Sequence, residues 1–219
     1  MEKRKIILGS YDTAEYGWTL TGWNLTAPEQ KTKYIEKPNG DGSWDLSTAA
    51  TDGIPTYRDR NLTATLELSE GDRTSREAII RQMVNQLDGM RVNIVLPDDA
   101  THYITGRLHI AREYNDLAHC AVTVKALCEP WKYSATETVV TLTATANKET
   151  VHLVNGGRRA VVPTVKVTGS LLIEHGTASL SMSDGVYQWP ELLLTPGSLE
   201  MTVSGDGTSV ISYREAVLE

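Results

Sequence analysis

The sequence predicts a mainly β chain built as two β-sandwiches, the first of which also carries one α-helix and a β-hairpin. Three observations predict it. Apolar and polar residues alternate with period two over residues 61–70, 90–96, 104–110 and 120–128, the pattern of strands with one buried face. One stripe at helical spacing, Ile79, Ile80, Met83, Val84 and Leu87, interrupts them. After Tyr133 the composition shifts to Thr, Ala and Val in short alternating runs divided by Gly, Pro and Asp turns, with no further helical stripe.

In chain order, Glu2-Lys3-Arg4-Lys5-Ile6-Ile7-Leu8 has a charged start and an apolar run too short for a signal peptide or a membrane span, which suits a first strand. Tyr11, Tyr16, Trp18 and Trp23 then lie among Gly and Thr, as in one or two irregular strands. Residues 31–36 read as a strand, and Pro38-Asn39-Gly40-Asp41-Gly42 is a dense turn signal. From there to Arg60 no period is visible. Yet Trp44, Leu46, Ile54, Pro55 and Tyr57 make the segment too long and too apolar for an ordinary loop. In residues 61–70, Leu62, Ala64, Leu66 and Leu68 share one face. The helix is expected to open at Thr74, with Glu77 completing a capping box, and to end at Gly89. Met90, Val92, Ile94 and Leu96, the turn Pro97-Asp98-Asp99, and Ile104, Leu108 and Ile110 make a hairpin. Cys120, Val122, Val124, Ala126 and Cys128 then share a strand face, and Glu129-Pro130-Trp131 is expected to stop that ladder, since proline has no N–H to donate.

The shift in composition places a boundary within residues 134–138, giving domains 1–134 and 135–219. In the second, alternating runs recur at residues 161–168, 171–174, 178–182, 191–195, 199–203 and 209–215. Turns are expected at Asn155-Gly156-Gly157, Ser183-Asp184-Gly185, Thr195-Pro196-Gly197 and Gly205-Asp206-Gly207.

Composition and motifs point away from most chemistry. Lys and Arg number 21 against 28 Asp and Glu, a net charge of −7 with no basic run, so the footprint of a nucleic-acid-binding protein is missing. His102, His109, His119, His152 and His175 show no metal-ligand spacing and read as surface or hairpin residues. Residues 39–45 resemble a calcium loop only superficially, because the glycine is misplaced and no Glu closes twelve residues. Cys120 and Cys128 lie roughly 26 Å apart along one strand at about 3.3 Å per residue, beyond disulfide reach. They are expected to be buried free thiols, consistent with assembly in a reducing cytoplasm, and a mid-strand apolar face does not activate a nucleophile. Asp98-Asp99 and Glu174 read as solvated acids, and neither a phosphate-binding glycine loop nor a Gly-x-Ser-x-Gly elbow occurs. No catalytic, cofactor-binding or metal residue is assigned, and an enzyme is not expected.

Several segments resemble a known family when taken together. Lys31-Thr32-Lys33-Tyr34-Ile35-Glu36-Lys37-Pro38, then Asp41-Gly42-Ser43-Trp44-Asp45-Leu46-Ser47, then Tyr57-Arg58-Asp59-Arg60, are similar in order and spacing to a signature of distal tail proteins from long-tailed (siphovirus-type) bacteriophages. Tyr103-Ile104-Thr105-Gly106-Arg107 and Cys128-Glu129-Pro130-Trp131-Lys132-Tyr133 resemble the segments that end that family's N-terminal domain, with Trp131 where tyrosine is usual. Asn155-Gly156-Gly157, Pro163-Thr164-Val165, Gly197-Ser198-Leu199 and Ile211-Ser212-Tyr213-Arg214-Glu215 resemble its galectin-like second domain. Pro38-Asn39-Gly40 departs from the usual Pro-Gly pair, a difference confined to one turn.

The resemblance implies a structural virion protein that forms a homo-hexameric ring at the distal end of the tail. The N-terminal domains would make the ring and galectin-like sandwiches would sit outside it. The ring would join the major tail tube protein to the tail-tip protein of the baseplate, with a receptor-binding protein as a further candidate partner, and its channel would pass the genome. A lumen that is not basic suits that role, because a basic wall would hold DNA phosphates. No membrane insertion, specific nucleic-acid binding or cofactor is implied.

Residues 38–60 are the candidate subunit contact. Trp44, Leu46, Ile54 and Tyr57 lack the alternation that would tuck them into their own sheet, and burying each is worth roughly 1.5–3 kcal/mol, so a neighbour's groove is the expected home. Arg58 and Arg60 would bond its carboxylates or carbonyls. The alternative is that they fold back as an irregular cover on their own domain. A rival function is a carbohydrate-binding module for host attachment with Tyr187 and Trp189 as the sugar platform, against which stands their use as sandwich filling. A tail-associated glycan hydrolase would need a catalytic constellation that the sequence does not show.

Overall fold

The computed structural model describes residues 4–51, 53–116 and 118–219, and its contacts divide the chain into two compact units, Met1–Lys132 and Tyr133–Glu219. Among the described residues the chain is mainly β with one α-helix, as the sequence predicts. Glu2 and Lys3, the start of the expected first strand, lie outside the described residues.

The first unit runs β1 (Ile7–Leu8), β2 (Tyr11–Asp12), a 3-10 turn at Thr13–Tyr16, β3 (Thr19–Leu25), β4 (Tyr34–Glu36), β5 (Ser43–Asp45), β6 (Arg60–Leu68), α1 (Arg73–Leu87), β7 (Arg91–Leu96), β8 (Asp99–Asn115) and β9 (Cys120–Ser134). All but β4 and β5 join one curled sheet in the order β2-β1-β7-β8-β9-β6-β3. The period-two pattern sets its core. On β6, Leu62, Ala64, Leu66 and Leu68 are buried, and the antiparallel register from Arg60–Cys128 to Leu68–Cys120 lays them beside Cys120, Val122, Val124, Ala126 and Cys128 of β9. Ile80, Met83 and Leu87 of α1 close over the same cluster. Both cysteines are free and buried, and burial raises both thiols, Cys128 to about 12, so they serve as apolar core.

Several elements differ from the sequence reading. The helix is capped by Asp72, whose carboxylate accepts from the Ser75 N–H at 2.7 Å, while Thr74 lies inside the first turn. An anion at a helix N-terminus is a better acceptor than a hydroxyl. Glu77 reaches sideways to Arg112 and Asn115 instead of back to a cap. Met90 stays exposed ahead of β7. β9 continues through Pro130 to Ser134, whereas its pairing with β6 ends at Cys128; the missing proline N–H falls beyond that ladder.

The second unit holds β10 (Thr138–Ala144), β11 (Glu149–Asn155), β12 (Thr164–His175), β13 (Ala178–Met182), β14 (Gly185–Gln188), β15 (Gly197–Tyr213) and β16 (Ala216–Val217). Its runs at residues 199–203 and 209–215 prove to belong largely to one long strand. Gly205-Asp206-Gly207, expected as a turn, sits inside β15 opposite Gly169-Ser170-Leu171 of β12. Here the two strands press together: a Cβ on Gly207 would lie 2.4 Å from the Thr168 carbonyl oxygen, and one on Gly205, at φ 135°, 2.3 Å from that of Ser170. Beyond this pinch β15 changes partner, pairing with β11 through its first half and β10 through its second, as β12 does with β14 and β13. Val165, Val167, Leu171 and Ile173 of β12 and Leu199, Met201, Val203 and Ile211 of β15 share one core, so the sheet closes on itself as a sandwich. Residues 191–195 form no strand. Leu192 and Leu194 are buried as the alternation requires, but Pro190 and Pro196 flank them and only a bridge from Leu194 to Val161 forms.

Candidate functional site

Residues 30–57 leave the body of the first unit as an arm. Its root is closed by a bridge between Gln30 and Tyr57, with the Arg58 N–H donating to the Glu29 carbonyl and the Lys31 N–H to that of Thr56, each at 2.8 Å. Tyr57 packs edge-on against Trp131, ring centroids 5.6 Å apart. Beyond the root, β4 and β5 form a hairpin of their own, separate from the main sheet. The turn signal at residues 38–42 is its tip, where Asn39 and Gly42 take positive φ and the Lys37 N–H donates to the Gly42 carbonyl at 3.2 Å. So the stretch without a period contains a strand. Neither face of this hairpin packs on the body, and a strand with no buried face has no reason to alternate.

The register pairs Ile35 with Trp44, which therefore share a face that Leu46, two residues on, extends. Tyr34, Asp45, Glu36 and Ser43 occupy the other. Trp44 is 51% exposed, and Tyr34, Ile35, Leu46 and Ile54 are exposed as well. The Ser47 side chain and N–H hold the Asp45 carboxyl below its usual range, and the Ser47 hydroxyl accepts from the Lys33 N–H, fixing the end of β5.

The candidate contact residues thus separate. Trp44, Leu46 and Ile54 project to solvent and Arg58 is exposed beside Glu29, at 3.7 Å. Tyr57 is half-buried on Trp131. Arg60 is not available to a neighbour: it is 2% exposed and its Nε donates to the Thr26 carbonyl at 2.6 Å, holding the start of β6 to the end of β3. Arg60 occupies the buried phase of the β6 alternation, and that phase marks it as a core position.

Beside the arm root, the outer face of the main sheet carries an open groove of about 600 Å³ that sequence reading missed. Thr63, Lys125 and Leu127 floor it, and Asp59, Arg91, Arg107 and Glu129 stand around it. Arg91 and Glu129 form an ion pair. Leu127 is 56% exposed, an aliphatic side chain in the wet phase of β9. That misplaced leucine was the available signal.

The candidate sugar platform takes a different form. Trp189 is 8% exposed within the core of the second unit, and Tyr187 packs against that core with its hydroxyl donating to the Ser183 carbonyl at 3.1 Å. Trp189 thus fills the sandwich, and Tyr187 lies half-buried against it. Among the described residues no cluster of His, Cys, Asp and Glu is arranged to hold a metal, and no helix is long and apolar enough to cross a membrane.

No family model matches the chain, and no curated relative does. Among solved structures, the chain is similar to that of SPP1 Dit (gp 19.1), described as a paradigm of the hub adsorption apparatus in phages that infect Gram-positive hosts. The match has a TM-score of 0.67 at 14% identity and covers 96% of this chain and 98% of that one. At that identity the likeness is one of fold, and the chain shares the fold of SPP1 Dit over nearly the full length of both chains.

Proposed function

We propose that this chain is the distal tail protein of a long-tailed bacteriophage or prophage, a structural virion component that forms a homo-hexameric hub at the end of the tail. The observation that carries the reading is the likeness to SPP1 Dit over nearly the full length of both chains. The signature residues support it, since Lys31–Pro38 and Asp41–Ser47 of the motif compose the hairpin arm and Tyr57 its root. In this reading the first unit makes the ring, the second is a galectin-like sandwich outside it, and the ring joins the tail tube protein to the tail-tip protein around the DNA channel. A net charge of −7 suits a channel that must release DNA. The reading gives no residue a catalytic role.

The arm ties each subunit to the next through Ile35, Trp44 and Leu46. Electron microscopy of the purified protein at high concentration, with native mass spectrometry, is expected to show six-membered rings, and antibody labelling is expected to mark the tail tip of the virion. Monomers alone in solution together with a single copy per tail tip would overturn the reading. The double variant Trp44→Ser/Leu46→Ser is expected to keep its Tm within about 2 °C, because exposed side chains contribute little to the fold, and to lose ring assembly. A markedly lower Tm in the monomer would instead place these residues in the subunit's own structure.

A further inference from the structure

We propose that Asn39-Gly40, at the tip of the hairpin arm, is a self-modification site, where the chain's own backbone converts Asn39 into aspartate and isoaspartate. The reaction needs no partner, so it stands apart from the hub reading. The Gly40 amide nitrogen, its proton lost to solvent base, bonds to Asn39 Cγ. The Cγ–Nδ2 bond breaks, and the side-chain amide takes up a proton and leaves as ammonia. Water then opens the resulting succinimide at either carbonyl, giving an aspartyl or an isoaspartyl link with a new carboxylate in each case.

The sequence holds Asn-Gly at residues 39–40 and again at residues 155–156, and the fold treats the two copies in opposite ways. Asn155 is 1% exposed. Its Nδ2 donates to the carbonyls of Arg159 at 2.8 Å and Leu194 at 3.0 Å, and its Oδ1 accepts from the Gly157 N–H at 3.0 Å. Its Cγ cannot turn toward the following nitrogen without breaking those bonds. The attacking group is held as well, since the Gly156 N–H donates to Glu215 Oε1 at 3.0 Å. A carboxylate there disfavours the amide anion that the attack requires.

Asn39 is the reverse case. It and Gly40 are exposed, and among the described residues no hydrogen bond holds the Asn39 side chain. The Gly40 N–H meets the Lys37 carbonyl only at 3.4 Å, beyond the ordinary range of such a bond. Gly40 has no Cβ to shield its nitrogen, and a Cβ at Gly42 would meet nothing within 4 Å, so the tip has room to move through the attack geometry. The product brings its charge into a hairpin that already holds Glu36, Asp41 and Asp45 against Lys37, and the isoaspartyl form lengthens the turn by the Cβ methylene.

The test incubates the purified full-length chain at neutral and at mildly alkaline pH and follows both Asn-Gly peptides by mass spectrometry with electron-transfer fragmentation, which tells aspartyl from isoaspartyl. In the folded chain Asn39 is expected to convert at least about tenfold faster than Asn155, which must first open locally. In the chain unfolded in urea the two rates are expected to agree within about threefold, because the protection belongs to the fold. Gly40→Ala places a methyl 3.7 Å from Lys37 Cβ, an ordinary contact, at a position without positive φ. It is expected to slow conversion of Asn39 at least about tenfold with Tm unchanged, by shielding the nitrogen. An Asn39 that stays intact in the folded chain would overturn the site. Equal rates at Asn39 and Asn155 in the folded chain would overturn the selection by the fold. Conversion indifferent to Gly40→Ala, or no faster at alkaline pH, would overturn attack by the Gly40 nitrogen.

Discussion

Arg76 brings its guanidinium under the hairpin of β8 and β9 and is 1% exposed. It donates to the carbonyls of Gly71 and Asp116 at 2.7 Å and of Ala118 at 3.3 Å, so one helix residue holds both the loop before α1 and the tip of the longest hairpin. Arg76→Met keeps the aliphatic stem but strands those carbonyls. A loss of roughly 2–4 kcal/mol is expected in denaturant unfolding, with faster amide exchange confined to the β8–β9 tip and the loop before α1. Glu77, one residue on, titrates in a known direction. Hydrogen bonds from Arg112 and then Asn115 hold its carboxyl below the ordinary value of 4.5. The charged form is therefore the one the fold favours: its contribution is whole above about pH 4.5 and fades as pH falls through the lower folded value. Asp72, held by Ser75, and Asp116, held by the N–H groups of His119 and Ala118, act in the same sense. Tm is expected to be level from pH 7 to about pH 5 and to fall below pH 4.5, with a shallower acid limb in Glu77→Gln.

At the scale of elements, the pinch between β12 and β15 decides the second unit. Two long strands can line one core only if they come close enough to turn their ladders, and Gly169, Gly205 and Gly207 supply that approach. Gly207→Ala would drive a methyl to 2.4 Å from the Thr168 carbonyl oxygen, against backbone that cannot swing aside. The expected cost is on the order of 2–4 kcal/mol, seen as a lower melting transition for the second unit with the first unchanged in calorimetry. The arm behaves oppositely. It packs little on its own body, so substitutions along Ile35, Trp44 and Leu46 are expected to be silent in folding and costly in assembly.

At the scale of the whole molecule, each unit carries its own hydrophobic cluster, and neither needs the other's residues to complete it. At the start of the second unit, residues 135–137 are exposed, while the Arg214 guanidinium donates to the carbonyls of Ser134 and Ala135 and the Ser134 N–H to that of Glu215. Limited proteolysis is expected to cut first within residues 134–138 and to release two folded fragments. A protease-resistant fragment spanning residues 126–140 would show that the linker is not the weakest point.

What the sequence determined by itself is whatever a single buried face imprints on it. The alternation of Leu62, Ala64, Leu66 and Leu68, the matching run from Cys120 to Cys128 and the stripe from Ile79 to Leu87 place the strands, the helix and the core of the first unit, because burial repeats with the period of the backbone. Where both faces are wet or the neighbour is distant in sequence, that imprint vanishes. The arm's second strand, Ser43–Asp45, left no period because nothing of its own chain covers it. The glycines at 205 and 207 read as a turn because their reason, the backbone of β12, lies some forty residues away. Arg60 stands in the buried phase of β6, which the sequence shows, but the Thr26 carbonyl that satisfies its charge there is supplied only by the fold. The groove beside the arm root is built from β6, β7, β8 and β9 together. Its existence depends on which strands become neighbours, and tertiary structure alone decides that.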